Sequence, residues 1–402
     1  MLICRKNVFE MRSGDDMKKE YSVSYFAFLI LFLGLMSAFG PFITDMYLPS
    51  LPAMSEIFRA SASAVQSGIS TALLGLALGQ VFFGPVSDRY GRRPVMAASL
   101  VLFSLSTIAA IFCDTIETFN ILRFFQGIGG AGCIVLSRSV ATDCYTGRDL
   151  AKTMTLIGAI NGVAPVTAPV IGGVVSECYG WQGVFWTLLS IGGVLLVMTL
   201  FFKESLSFEN RFKGSYKSLF GQFGIMLRNR FFIRYILLYA LAMAFLFGYI
   251  SSASFIVQEK YGFSEIAFAV IFGVNALGTM IGSIAALKLP TLESATLTGA
   301  VMLTVASAGL VLNAFFAEIF WLYEVCTWIA ITGCGFIFPS VTTLAMNAGR
   351  KAIGASSAIV GASGFIAGGL VSPLAGIGDM SQTSAFIMLG CGVLSWIFSR
   401  RM

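Results

Sequence analysis

Gly84-Pro85-Val86-Ser87-Asp88-Arg89-Tyr90-Gly91-Arg92-Arg93 places four charges between two long apolar runs. A segment this short cannot fold alone, and one this charged does not enter hydrocarbon. It therefore sits at a membrane surface and ties two spanning helices together. Gly84 and Gly91 allow close approach and a tight turn.

Working outward, apolar runs of spanning length recur along the chain, near 23–47, 64–86, 95–113, 117–140, 153–175, 183–202, 231–254, 264–287, 294–315, 319–343, 353–377 and 382–399. We number them spans 1 to 12. Roughly 20 residues rising about 1.5 Å each cross a hydrocarbon core about 30 Å thick. Helices are expected, because only a helix or a closed barrel satisfies its own backbone in lipid. Composition agrees: the 402 residues are 57% hydrophobic and 11% charged, with no histidine, where soluble domains carry about 25% charged residues. Span 11 is rich in Gly, Ala and Ser, which suits a helix packed against other helices.

The expected fold is an all-α membrane protein with twelve transmembrane helices in two pseudo-symmetric six-helix bundles. Residues 1–22 form a polar tail, 23–202 the first bundle, 203–230 a basic linker and 231–402 the second bundle. The linker carries Lys203, Arg211, Lys213, Lys217, Arg228 and Arg230. The halves share a weak echo: Phe42–Tyr47 ends span 1 and Tyr249–Phe255 ends span 7, each before a short loop. A central site between the two bundles fits this organisation.

Charge sets the orientation. With both termini cytoplasmic, 23 of the 26 Lys and Arg lie on that side, Arg59 and Lys260 lie opposite, and Arg123 is left inside a span. This is the positive-inside pattern. The net charge of +6 is thus a topology signal rather than a nucleic-acid footprint. Met1, Met11 and Met17 are all possible starts, and Met17-Lys18-Lys19 before an apolar run reads naturally as one. Span 1 is too long for a signal-peptide core and reads as a retained helix. Eight scattered Cys suggest neither a disulfide framework nor a metal site. No phosphate-binding loop, metal cluster or nucleophile constellation supports an ATP-driven pump, a membrane enzyme or a sensor.

The loop pattern G-x-x-x-D-R-x-G-R-R resembles the loop between the second and third helices of major facilitator superfamily transporters. Four more stretches narrow the resemblance: Thr44–Pro52, Leu122–Gly132, Gly158–Gly173 and Gly180–Trp186, with Gly354-Ala355-Ser356-Ser357-Ala358 in span 11. Together they are similar to the Bcr/CflA branch of the twelve-helix drug:proton antiporters, the bicyclomycin/chloramphenicol-resistance type. The matches lie mostly in the first half. Ala168 stands where the antiporter motif usually has Gly, and Gln182 where the branch often has a basic residue or His. The resemblance implies proton-coupled efflux of drugs or related small molecules across a bacterial inner membrane by alternating access. It further implies no cofactor, a proton gradient as energy source, and small molecule, protons and lipid as partners of a monomer. Two other readings share the fold: a metabolite exporter of amino acid or nucleobase type, and a proton-coupled nutrient importer.

Candidate site residues follow. Asp45 is the only acid in span 1, and an ionisable group at membrane depth is a functional candidate. With no histidine, proton coupling rests on carboxylates; burial and a nearby cation act on Asp45 in opposite senses, so cargo or a conformational change could move a proton on or off. Arg123 is the only cation well inside a span, and Gln126 lies one turn along. The resemblance implies that this Arg faces the cavity of the first bundle and takes part in proton coupling.

The loop reads as a cytoplasmic latch of Gly84, Asp88, Arg89, Gly91, Arg92, Arg93, Arg138 and Asp143. Asp88 is expected to meet the start of span 11 near Ala352-Ile353-Gly354, and Arg92 to pair with Asp143. Span 5 carries Gly158, Gly162, Pro165, Pro169, Gly172 and Gly173. Its prolines are expected to bend the helix and its glycines to admit close neighbours; by resemblance the motif marks exporters. Tyr47, Asn161, Tyr249, Phe255, Asn275 and Glu324 are the cavity candidates, a mix of aromatic and polar groups suited to a lipophilic, weakly polar ligand. Glu324 sits either in the cavity or at the membrane interface.

Overall fold

Span 1 is the helix α1 (Val23–Asp45), followed by a short helix α2 (Leu51–Ile57) that lies outside the expected spans. Spans 2 to 4 are α3 (Ala62–Tyr90), α4 (Arg92–Ile111) and α5 (Ile116–Cys144). Spans 5 and 6 are two limbs of one long helix, α6 (Gly147–Phe201), broken at Gly180 with φ 67° and ψ −175°. At about 1.5 Å per residue it is far too long for one crossing. Spans 7 to 12 are α7 (Arg230–Phe255), α8 (Glu265–Ala286), α9 (Leu292–Leu312), α10 (Phe320–Ala348), α11 (Ile353–Val371) and α12 (Met380–Ser399). Eleven helices among the described residues are long and apolar enough to span a membrane; α6 crosses twice, which makes twelve crossings. This computed structural model describes residues 8–12, 18–145, 147–212, 224, 226–349 and 353–400. In the tail, Val8–Arg12 and Lys18–Ser22 pair as an antiparallel hairpin, β1 and β2, where the sequence reading has only a polar segment. The membrane domain itself is all-helical.

Helix starts at the membrane surfaces are capped by short polar side chains. Ser61, Thr115, Ser264 and Asp379 accept from backbone N–H groups of α3, α5, α8 and α12, and Thr291 and Ser294 form a reciprocal box on α9. Each such cap is worth about 1 kcal/mol. Large apolar side chains such as Leu105, Leu200, Val305 and Leu370 are exposed. In water they would form an aggregating surface; here they face lipid.

The two halves pack alike. In the first, span 2 packs on 4, 3 on 4, 1 on 5, 3 on 6 and 1 on 4; in the second, 8 packs on 10, 9 on 10, 7 on 11, 9 on 12 and 7 on 10. The two large contacts between halves, span 2 with 11 and span 5 with 8, are also related by this exchange. Small residues set the closest approaches. A Cβ on Gly75 or Gly127 would strike the backbone of the facing helix in the α3–α5 pair, as would one on Gly282 or Gly335 in the α8–α10 pair.

The halves meet at one end. Ser63 Oγ donates to the Pro373 carbonyl (2.9 Å), Gln66 Nε2 to Ser251 (3.0 Å), Ser254 Oγ to Leu48 (2.6 Å) and Gln258 Nε2 to Pro49 (2.9 Å). Ser70 Oγ donates to the Gly369 carbonyl. All hydrogen bonds between the halves, among the described residues, lie at this end. The other end carries the charged loop and the linker; we call it the basic face. A cavity between the halves reaches toward it as far as Arg138.

Candidate central cavity and charged loop

The cavity has a volume of about 540 Å³ and lies between the halves. Its first-half wall comes from α1 (Ser37, Gly40, Pro41, Thr44, Asp45), α5 (Ile134, Arg138) and α6 (Gly158, Asn161, Gly162, Pro165). Its second-half wall is largely aromatic and apolar, with Tyr239, Met243, Phe247, Tyr249, Phe338 and Phe365 among the lining groups. Such a wall solvates an apolar body, while the few polar groups set orientation.

Asp45 is at the cavity wall and 6% exposed. Its Oδ1 accepts from Thr44 Oγ1 at 2.7 Å, and the Gly40 carbonyl, 3.2 Å from the same hydroxyl, is the alternative acceptor for that one proton. It is the sole carboxylate among the described lining residues.

Arg123 differs from its expected placement. It is fully buried inside the first bundle, behind α1, and does not line the cavity. Nη2 donates to the Ile43 carbonyl at 2.8 Å, Nε to Gly68 at 3.4 Å, and Nη1 to Gln126 Oε1. Its guanidinium lies 4.4 Å from the Tyr47 ring centre and 5.6 Å from that of Phe185. Gln126 Nε2 donates onward to Thr107 Oγ1 at 2.7 Å. Among the described residues Arg123 has no acid partner; carbonyls and rings satisfy it and bind α1, α3 and α5 together. Tyr47 is committed to that cluster, so it too lies outside the cavity wall.

The other cavity candidates divide. Asn161 and Tyr249 line the wall. Asn275 is fully buried behind Tyr249 and donates to its hydroxyl at 3.0 Å, while Tyr249 stacks on Phe272 with centroids 5.6 Å apart. Glu324 lies beside Asn275 with a buried, unpartnered Oε2, again behind the wall. Phe255 borders a crevice at the end away from the basic face.

The antiporter motif also divides. Nothing lies within 4 Å of where a Cβ would sit on Gly158 or Gly162, because both open onto the cavity rather than onto a neighbour. Gly172 instead abuts the Met46 backbone, and a Cβ on Gly173 would lie 2.8 Å from Ala269 Cβ. Close packing is therefore confined to the half of the motif that meets α1 and α8. Ala168, the departure from the motif, is fully buried. Pro165 and Pro169 leave the helical backbone intact; the only non-helical residue in α6 is Gly180.

At the basic face Arg92 organises the loop. Its Nε and Nη2 donate to Asp143 Oδ2 and Oδ1 at 2.8 and 3.2 Å, and Nη1 donates to Asp88 Oδ1 and Ser87 Oγ, both at 2.6 Å. Gly91, at φ +100°, ends α3 and starts α4. Glu204 was not foreseen: its carboxylate accepts from the backbone N–H groups of Arg92 (2.9 Å) and Arg93 (3.1 Å), capping α4. Arg93 reaches the Thr199 and Leu200 carbonyls, and Ser205 Oγ donates to Asp143. Arg89 lies over the neighbouring Tyr90 ring, and Gly84 accepts at its carbonyl from Ser87. Asp88 is engaged with Arg92. Ala352, its expected neighbour, falls outside the described residues. Arg138 is not part of this cluster; it is exposed in the cavity wall.

A family profile described as Major Facilitator Superfamily matches residues 25–373. The chain belongs to the Major Facilitator Superfamily. Among its relatives is the "Uncharacterized MFS-type transporter YdgK" of Bacillus subtilis, 34% identical over 366 residues, covering 87% of this chain and 89% of that one. A "Bicyclomycin resistance protein homolog" of Haemophilus influenzae is 26% identical, covering 91% of this chain and 94% of that one. This agrees with the Bcr/CflA resemblance. The xylose transporter XylE of E. coli, solved in a partially occluded inward open conformation, shares the fold with a TM-score of 0.74 at 15% identity, covering 94% of this chain and 98% of that one. The cavity between the halves and the charged loop are the candidate functional elements.

Proposed function

We propose that this transporter exports drugs or related small molecules in exchange for protons, alternating between the state open at its basic face and one open at the other. The basic face is cytoplasmic in this reading, the membrane is the bacterial inner membrane, and both termini are inside. The energy source is the proton gradient; no cofactor and no catalytic chemistry are needed, and one chain suffices. The observation that carries the reading is Asp45, the one carboxylate among the described lining residues, in a chain without histidine. A cavity that exposes one protonatable group to cargo lets the two compete for it, which is the minimal device for exchange. The name of the Haemophilus relative supports drugs as cargo.

Everted vesicles with an imposed pH gradient test the reading. Accumulation of a resistance-type compound that collapses with the gradient, and is lost in Asp45→Asn, is the expected result. Gradient-independent accumulation contradicts it. A second reading, export of a charged metabolite, draws on Arg138.

A further inference from the structure

Arg138 is a permanent cation with no acidic partner among the described residues. It lines the central cavity and also a smaller chamber of about 180 Å³ beside it, where Tyr239, Gln80, Thr342 and Ser357 supply polar groups. Ile134, one turn earlier on α5, touches Gly40 on α1 and so fixes a common level. At helical rise, Asp45 lies about 7 Å to one side of that level and Arg138 about 6 Å to the other. The two charges are too far apart to pair, and both face the cavity.

Closing the basic face withdraws water from Arg138. An unpaired buried cation is strongly unfavourable, so the closed state requires an anion there. The second half brings none. Its acids are Glu259, Glu265, Glu293, Glu318, Glu324 and Asp379; α7 and α11 carry no acid, and α10 carries only Glu324, near its far end. In the first half, Asp143 and Asp88 are engaged with Arg92, Glu204 with the start of α4 and Asp149 with Lys152; Glu209 in the linker and Glu293 at the start of α9 are exposed to solvent.

We infer that Arg138 is the anion-recognising residue of the cavity, and that the cargo carries a carboxylate or phosphate on an apolar or aromatic body. This rests on the export reading only for the direction of movement. The anionic head meets Arg138 beside Tyr239, with geometry that favours planar, bidentate acceptors. The body lies along Met243, Phe247 and Phe338 toward Asp45.

Equilibrium binding to the purified full chain tests this, using 4-phenylbutyrate, 4-phenylbutyramide and 4-phenylbutylamine, which share one body and differ in head charge. Wild type is expected to bind the carboxylate about tenfold or more tighter than the amide. Arg138→Gln should abolish that preference while leaving amide affinity within about twofold, and Arg138→Lys should keep part of it. No carboxylate preference in wild type, or one that survives Arg138→Gln, overturns the inference. Equal weakening of all three ligands by Arg138→Gln also overturns it, making Arg138 a gate residue that meets the last carbonyls of α10. Vesicle transport is read separately: carboxylate binding through Arg138 without proton-driven movement leaves this inference standing and removes the export reading.

Discussion

Arg92 grips Asp143 through two hydrogen bonds, joining the start of α4 to the end of α5 while also holding Asp88 at the end of α3. The pair is largely shielded, with side chains 7% and 15% exposed. Removing one partner leaves the other charge uncompensated, at about 3 kcal/mol for a well-buried pair. We predict that Arg92→Ala lowers thermal stability by about that amount, and that Arg92→Lys recovers only part because it loses the bidentate fork. Thermal unfolding in detergent checks this; wild-type stability in Arg92→Ala would show the pair to be ornamental.

This contact was legible because Arg92 sits in a compact charged loop and Asp143 lies just past the end of span 4, at the same membrane surface. Arg123, Arg138 and Glu204 were not, for a physical reason. A spanning helix is apolar on every face, so no hydrophobic stripe reveals which side meets the cavity, the bundle interior or lipid. Depth along a span could be read; rotation about its axis could not. Arg123 reaches the Ile43 carbonyl, two residues from Asp45, yet α1 stands between the cavity and the guanidinium. Glu204 lies beyond the end of span 6, where only the folded chain brings it over the start of α4.

The glycines of span 5 make a contrast. Gly172 is packed on the Met46 backbone, whereas Gly158 faces open space. Gly172→Ala should cost about 1–3 kcal/mol by overpacking and reduce folded protein. Gly158→Ala should leave stability unchanged and alter only the apparent affinity for cargo. Expression and unfolding temperature of the two variants, measured side by side, decide it; equal effects would mean that the motif acts as one packing unit.

Glu324 lies behind Tyr249 and Asn275 rather than in the cavity wall. Cargo therefore cannot compete with a proton there directly. Glu324→Gln is predicted to keep ligand-induced proton release at the wild-type count, as measured by a pH-sensitive dye on purified protein. Release cut by half would assign it a second coupled proton.

Proton exchange at Asp45 is read directly by counting protons. Purified protein in weak buffer is mixed with a panel of resistance-type compounds, and released protons are counted for wild type and Asp45→Asn. Release from wild type and none from the folded variant is the expected result. Equal release from both would contradict it and place the proton elsewhere.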